Sequence, residues 1–172
     1  MSHIRIAGIT KDSIVDGPGL RYTVFVQGCF NKCEGCHNPQ THDPMGGVTM
    51  DTDKIYEEFI SNPMWTGITF SGGEPFLQSD PLADIAIRIK RDHPEKNIIC
   101  YTGYKYEYIR DMIDKEKVMS YMRLLYNIDY LIDGPFEKDR ASLDCKWRGS
   151  TNQRIIDVPQ SIKAGYVVEA DI

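Results

Sequence analysis

Gln27-Gly28-Cys29-Phe30-Asn31-Lys32-Cys33-Glu34-Gly35-Cys36-His37-Asn38 follows directly on Leu20-Arg21-Tyr22-Thr23-Val24-Phe25-Val26, a run of β-branched and aromatic residues. That run reads as a buried strand, so the cysteines occupy a loop at a strand's C-terminal end. Their C-x3-C-x2-C spacing lets a tightly wrapped loop turn three thiolates toward one centre, and thiolates bind soft metals and iron–sulfur clusters. Three ligands close neither a tetrahedral site nor all four irons of a cubane. The open position points to reactive metal chemistry, with the fourth ligand supplied by a substrate or cofactor. On spacing alone, a Cys3His zinc site stays open beside the cluster. His42 is the better placed fourth ligand, because His37 adjoins Cys36 and adjacent side chains rarely converge on one ion. A disulfide framework fits poorly, since Met1-Ser2-His3-Ile4-Arg5 lacks the charged-then-apolar pattern of a secretory signal.

Working outward, 172 residues suit one domain, 1–172, with a real core. That length is too short for a complete eight-fold β/α barrel, which takes ~250 residues. No apolar run approaches the ~20 residues of a membrane span, and the expected location is the cytoplasm, where clustered cysteines hold metal or do chemistry. A net charge of −5 without a basic block argues against nucleic acid as a partner.

Upstream of the cysteines, Ile4 to Ile9 reads as a short strand and Ile14-Val15-Asp16-Gly17-Pro18-Gly19 as a tight turn. Downstream, Pro44 to Gly47 is a turn. Asp51 to Ser61 reads as a helix stopped by Asn62-Pro63, and Gly67 to Phe70 as a strand leading into Ser71-Gly72-Gly73-Glu74-Pro75. Ser79 has the look of an N-cap, ahead of Leu82, Ile85, Ala86 and Ile89 at helical spacing. Asn97–Tyr101 is a strand, Tyr106–Ile113 and Glu116–Tyr126 are helices, and Asp129–Ile132 and Arg154–Val158 are further strands. Strands alternating with helices imply crossovers and a mainly parallel sheet. The cysteine loop, Ser71–Pro75, Tyr101–Gly103 and Asp133–Pro135 then share one rim, where active sites of such folds collect.

The rim residues have matching chemistry. Gly72-Gly73 lets backbone approach a ligand with no Cβ in the way, and the Glu74 carboxylate attracts an ammonium group; the bland alternative is a turn with a solvated acid. Thr102 and Asp133 offer a hydroxyl and an acceptor suited to ribose, though each alone is more often a turn or cap residue. Beside an open iron they suggest a small amino acid linked to a nucleoside.

Together, the cysteine triplet and the Gly72-Gly73-Glu74 loop resemble the radical S-adenosylmethionine enzymes. Asp16-Gly17-Pro18-Gly19-Leu20-Arg21, Gln27-Gly28-Cys29 and Cys36-His37-Asn38 are similar to the glycyl-radical-enzyme activases among them. Asp133-Gly134-Pro135-Phe136 and Trp147–Asp157 resemble those that act on anaerobic ribonucleotide reductases. The likeness runs from Ile14 to Val158.

This resemblance implies an α/β fold, a partial parallel β/α barrel of about six strands. It implies a [4Fe–4S] cluster on Cys29, Cys33 and Cys36, with S-adenosyl-L-methionine chelating the fourth iron through its amino and carboxylate groups. Reductive cleavage of that cofactor gives a 5′-deoxyadenosyl radical, which takes hydrogen from a glycine Cα of the anaerobic ribonucleoside-triphosphate reductase. The electron comes from an external donor such as a flavodoxin or ferredoxin. By carry-over, Gly72, Gly73 and Glu74 hold the methionine amino group, Gly35, Cys36 and His37 lie on the adenine side, and Thr102 and Asp133 serve the ribose or carboxylate end. Asp16 accepts a backbone N–H from the partner loop, and Lys138 to Arg148 offers a docking edge. Trp147 is open to two roles, docking or packing.

Three positions depart from the family pattern. Gly35 stands where many relatives have an aromatic. Tyr101 replaces an acid that helps bind a monovalent cation in the pyruvate formate-lyase activase, so no such site is expected. Pro135 replaces a lysine near the ribose. Cys100 and Cys145 are expected to be non-ligands, Cys100 as a small hydrophobe buried in its strand. The alternatives are activation of pyruvate formate-lyase, disfavoured by the short chain and the Trp147–Asp157 run, and a non-catalytic Cys3His zinc module.

Overall fold

A computed structural model describes residues 2–172. In chain order the elements are β1 (His3–Ser13), β2 (Arg21–Val26), β3 (Val48–Asp51), α1 (Thr52–Ser61), β4 (Gly67–Gly72), α2 (Ser79–Asp92), β5 (Asn97–Tyr101), α3 (Tyr106–Asp114), α4 (Met119–Leu125), β6 (Tyr130–Asp133), β7 (Arg154–Asp157) and α5 (Val158–Ala164). All seven strands form one sheet in the order β3-β1-β2-β4-β5-β6-β7.

The sheet is open, and it is less parallel than the alternation predicts. β2, β4, β5 and β6 pair in parallel, each joined to the next through a helical crossover, whereas β1, β3 and β7 pair antiparallel at the two sides. The reason lies in the connections. Parallel neighbours need a crossover of a dozen residues or more, usually helical. Between β1 and β2 lies only the short 14–20 turn, and between β6 and β7 the sole helical piece is the 3-10 turn Lys138–Arg140. Both pairs therefore fold back on themselves.

Alternation along the strands separates two faces. Tyr22, Val24, Val26, Ile68, Phe70, Ile98, Cys100, Leu131 and Ile156 point to the helices and join Ile55, Phe59, Leu82, Ile85, Ile89, Ile109 and Leu124 in the main core. Their neighbours Ile99, Ile132 and Ile155 point the other way, into a small cluster with Tyr101, Tyr130, Trp147 and Ile172. That second face also carries the polar members of β2 and β4. Arg21 is fully buried there and donates to Thr69 Oγ1 (2.6 Å), Asn97 Oδ1 (2.7 Å) and the carbonyls of Pro18 and Ile68. With no carboxylate bonded to it, burial lowers its pKa to about 10.

Several boundaries differ from expectation. β1 runs on through Thr10–Ser13, and β3 is a four-residue edge strand. Asp51 is the cap of α1, accepting from Asp53 N at 2.9 Å, so that helix starts at Thr52. Ser79 is not a cap: the 3-10 turn Pro75–Gln78 runs straight into α2 and Ser79 is buried inside the helix. α4 is shorter than Glu116–Tyr126 because Lys117 sits at φ 58°, outside helical space. No described helix is long and apolar enough to cross a membrane.

Candidate functional site

The cysteine loop leaves β2 and returns through the 3-10 turn Pro39–Thr41. Its base is closed by backbone bonds from Gly28 N to Thr41 O (2.7 Å) and Cys29 N to His42 O (3.1 Å), and by the Gln27 carboxamide donating to the carbonyls of Gln40 and Asp43. Further along, Cys36 N donates to Cys33 O and Asn38 N to Cys36 Sγ at 3.4 Å. Lys32 at φ 48° and Gly35 at φ 73° supply the left-handed turns that wrap the loop. Cys29, Cys33 and Cys36, all free and half-buried, consequently line a single cavity of about 140 Å³. Burial, reinforced by Glu74 and the two other thiols, pushes the Cys29 thiol up, so a metal must displace its proton to bind.

The Gly72–Gly73 turn forms a further part of this cavity's wall. It is bonded to the base of the cysteine loop through Gly73 N to Val26 O (2.9 Å) and Glu74 N to Gly28 O (2.8 Å). Glycine is required at both positions by close approach: a Cβ on Gly73 would stand 2.3 Å from Gly28 O, and one on Gly72, at φ 100°, 2.6 Å from Val26 N.

Glu74 is placed differently from the ammonium-facing position expected of it. Its side chain turns behind the wall and is 1% exposed. There it accepts from Thr102 Oγ1 (2.8 Å) and Phe76 N (3.1 Å) on one oxygen, and from Gly103 N (2.9 Å) and Asn31 Nδ2 (3.2 Å) on the other. One buried carboxylate thereby joins the cysteine loop, the Gly-Gly turn and the end of β5. Thr102 remains on the cavity wall while donating to Glu74.

Asp133 likewise sits at the end of β6 but not on the thiol cavity. Its carboxylate accepts from Tyr106 N at 2.8 Å, capping α3, and pairs with Arg154 at 2.5 Å. That pairing, shared with Glu107, holds Arg154 charged through the alkaline range. Gly35 is outside the wall as well, whereas His37 is on it.

A larger cavity of about 800 Å³ adjoins the first, sharing His37, Asn38, Ser71, Tyr101, Phe136 and Gln153 with it. Asp16 lines this second space, its carboxylate accepting from Ser13 Oγ (2.5 Å) and Thr23 Oγ1 (3.1 Å). Facing it is the 137–153 segment, whose Leu143 is fully exposed, as are most of Ile14 and Val15 beside Asp16. Trp147 is a packing residue: it rests on Ile99, Ile132 and Ile155, donates from Nε1 to Ile172 O (3.1 Å), and accepts from Tyr101 Oη on its carbonyl (2.6 Å). Cys100 is buried on the helix side of β5, and Cys145 lines only the larger cavity.

Sequence alone does not single out Phe136 or Asn31. Phe136 stands inside the quoted Asp133–Phe136 run, and an aromatic directly after a strand-end turn is the signal available there. Asn31, between two cysteines, carries no comparable signal.

The donor set suits a cluster. A cluster distributes its thiolates over several irons, and three cysteines lining one cavity are a donor set of that kind; His42 is on the same wall.

Comparison with known proteins agrees. A family model described as a 4Fe-4S single cluster domain matches residues 15–156. Three proteins named anaerobic ribonucleoside-triphosphate reductase-activating protein are similar to the chain. That of Enterobacteria phage T4 is 36% identical over 145 residues, covering 82% of this chain and 86% of its own. That of Haemophilus influenzae is 37% identical over 149 residues, covering 83% and 90%. The Escherichia coli K12 protein is 36% identical over 149 residues, covering 81% and 90%. With the match spanning every segment that builds the thiol cavity, the chain belongs to the family of anaerobic ribonucleoside-triphosphate reductase-activating proteins and contains its 4Fe-4S cluster domain.

Proposed function

We propose that this chain is a radical S-adenosylmethionine activase that installs a glycyl radical on an anaerobic ribonucleoside-triphosphate reductase, drawing its electron from a donor such as a flavodoxin or ferredoxin. The observation that carries the proposal is the shared cavity, lined by three cysteines and a glycine-glycine turn with no fourth thiol among its lining residues. Cys29, Cys33 and Cys36 would hold the [4Fe–4S] cluster, leaving one iron for S-adenosylmethionine. When bound, cluster and cofactor supply one-electron cleavage of the sulfonium to methionine and a 5′-deoxyadenosyl radical able to take hydrogen from a glycine Cα.

The chain's own residues position and shield. The Gly72–Gly73 backbone receives the methionine amino group, with Glu74 acting from behind by fixing the turn. Thr102 and His37 face the remainder of the cofactor. The helix-backed, open sheet serves as the partial barrel of the radical enzymes, and the larger cavity is the route by which a glycine-bearing loop reaches the radical. Asp16 on its rim receives that loop.

The test is direct. Protein reconstituted anaerobically with iron and sulfide, reduced, and mixed with S-adenosylmethionine and the reductase is expected to give 5′-deoxyadenosine and a glycine-centred electron paramagnetic resonance signal. Reduced, iron-loaded protein that yields neither overturns the proposal. A colourless, resonance-silent metal complex would return the chain to the zinc class.

A further inference from the structure

Phe136 follows Gly134-Pro135 at the exit of β6 and lines both cavities, as does His37. The two ring centroids lie 4.8 Å apart, with planes tilted by 48°. Gly149 makes room for the pair, and Gly35 lies within ordinary contact of the Phe136 ring. A Cβ on Gly149 would stand 2.9 Å from Phe136 Cδ2 and 3.3 Å from His37 Cε1, and one on Gly35 would stand 3.5 Å from Phe136 Cε1. Between its second and third cysteines the chain has only Glu34 and Gly35. An aromatic ring reaches Gly35 from the turn that follows β6.

We infer that Phe136, braced by His37, is the aromatic wall for the purine of the nucleoside cofactor, an assignment that presupposes the cofactor proposed above. Flat rings favour offset or edge contacts with other flat rings, and the purine is the one aromatic part of S-adenosylmethionine. The methionine end is assigned above to the Gly72–Gly73 turn on the same cavity wall, so the two halves of the ligand depend on different residues.

Anaerobic titration of the reconstituted protein with S-adenosylmethionine, and separately with methionine, separates those halves; cluster absorbance reports both. Phe136→Leu is expected to weaken S-adenosylmethionine binding on the order of tenfold, the scale of one base–aromatic contact, with methionine affinity and iron content unchanged. Phe136→Tyr keeps the ring and should stay within about twofold of the parent. Gly149→Ala, whose new methyl presses on both rings, is expected to shift affinity as Phe136→Leu does. A Phe136→Leu protein that binds S-adenosylmethionine like the parent overturns the assignment, as does an equal loss of methionine affinity. If Phe136→Leu fails to retain iron, Gly149→Ala decides, and unchanged cofactor affinity there overturns it. A parent protein that does not bind S-adenosylmethionine at all removes the proposed function and the purine wall together, an outcome distinct from failure of the wall alone.

Discussion

Replacing Cys33 with alanine takes away one of the three thiols on the cavity wall. Iron content and visible colour of the reconstituted protein are expected to collapse for Cys29→Ala, Cys33→Ala and Cys36→Ala alike. Cys145→Ala, altering a thiol on the neighbouring cavity only, should load iron as the parent does, and metal analysis of the four proteins checks both halves. The three cysteines are legible in sequence as candidate ligands because their chemistry follows from identity and spacing. Glu74 and Asp133 are legible only as positions. Whether a carboxylate faces a cavity or turns back to cap a 3-10 turn or a helix depends on which donors the fold brings near, and those donors (Asn31, Phe76 and Gly103 for one; Tyr106 and Arg154 for the other) lie on separate elements.

At the scale of elements, the parallel strands announce themselves by runs such as Tyr22–Val26 and Asn97–Tyr101, each buried by helices on one face. β3 is hidden because an edge strand of four part-exposed residues needs no apolar pattern. The direction of β7 is not a property of its residues at all; it follows from the lack of a crossover before it. α5 could have been found, since Asp157 caps it, Pro159 sits in its first turn and Gly165 ends it at φ 79°. The 14–19 turn brings a functional expectation at this scale. Its Asp16 is tied to Ser13 and Thr23 and stands on the large cavity, away from the thiols. Asp16→Ala should lower glycyl radical yield several-fold while uncoupled cleavage of S-adenosylmethionine persists, at a stability cost of about 1–2 kcal/mol for two hydroxyls left without an acceptor. Parallel assays of radical and 5′-deoxyadenosine give the ratio; an equal fall in both assigns Asp16 to the cofactor instead.

Across the whole molecule, one face of the sheet is sealed by helices, while the other is covered by the 14–19 turn, the 137–153 segment and the C-terminal residues, the last two pinned through Trp147 to Ile99, Ile132, Ile155 and Ile172. Trp147→Ala is expected to cost about 3 kcal/mol of stability and to speed amide exchange in β7, while iron loading is retained. Thermal denaturation and hydrogen exchange would show it, and loss of iron in step with stability would contradict the separation of roof from cluster loop. The buried Glu74 carboxylate has a different reach. Through Asn31 it grips the loop that carries the three cysteines, and through Gly103 and Thr102 it grips the end of β5. Thermodynamic coupling of this kind acts in both directions: if a cluster held on the cysteine side raises the affinity for an occupant at the Gly72–Gly73 side, that occupant must tighten the hold on the cluster by the same factor.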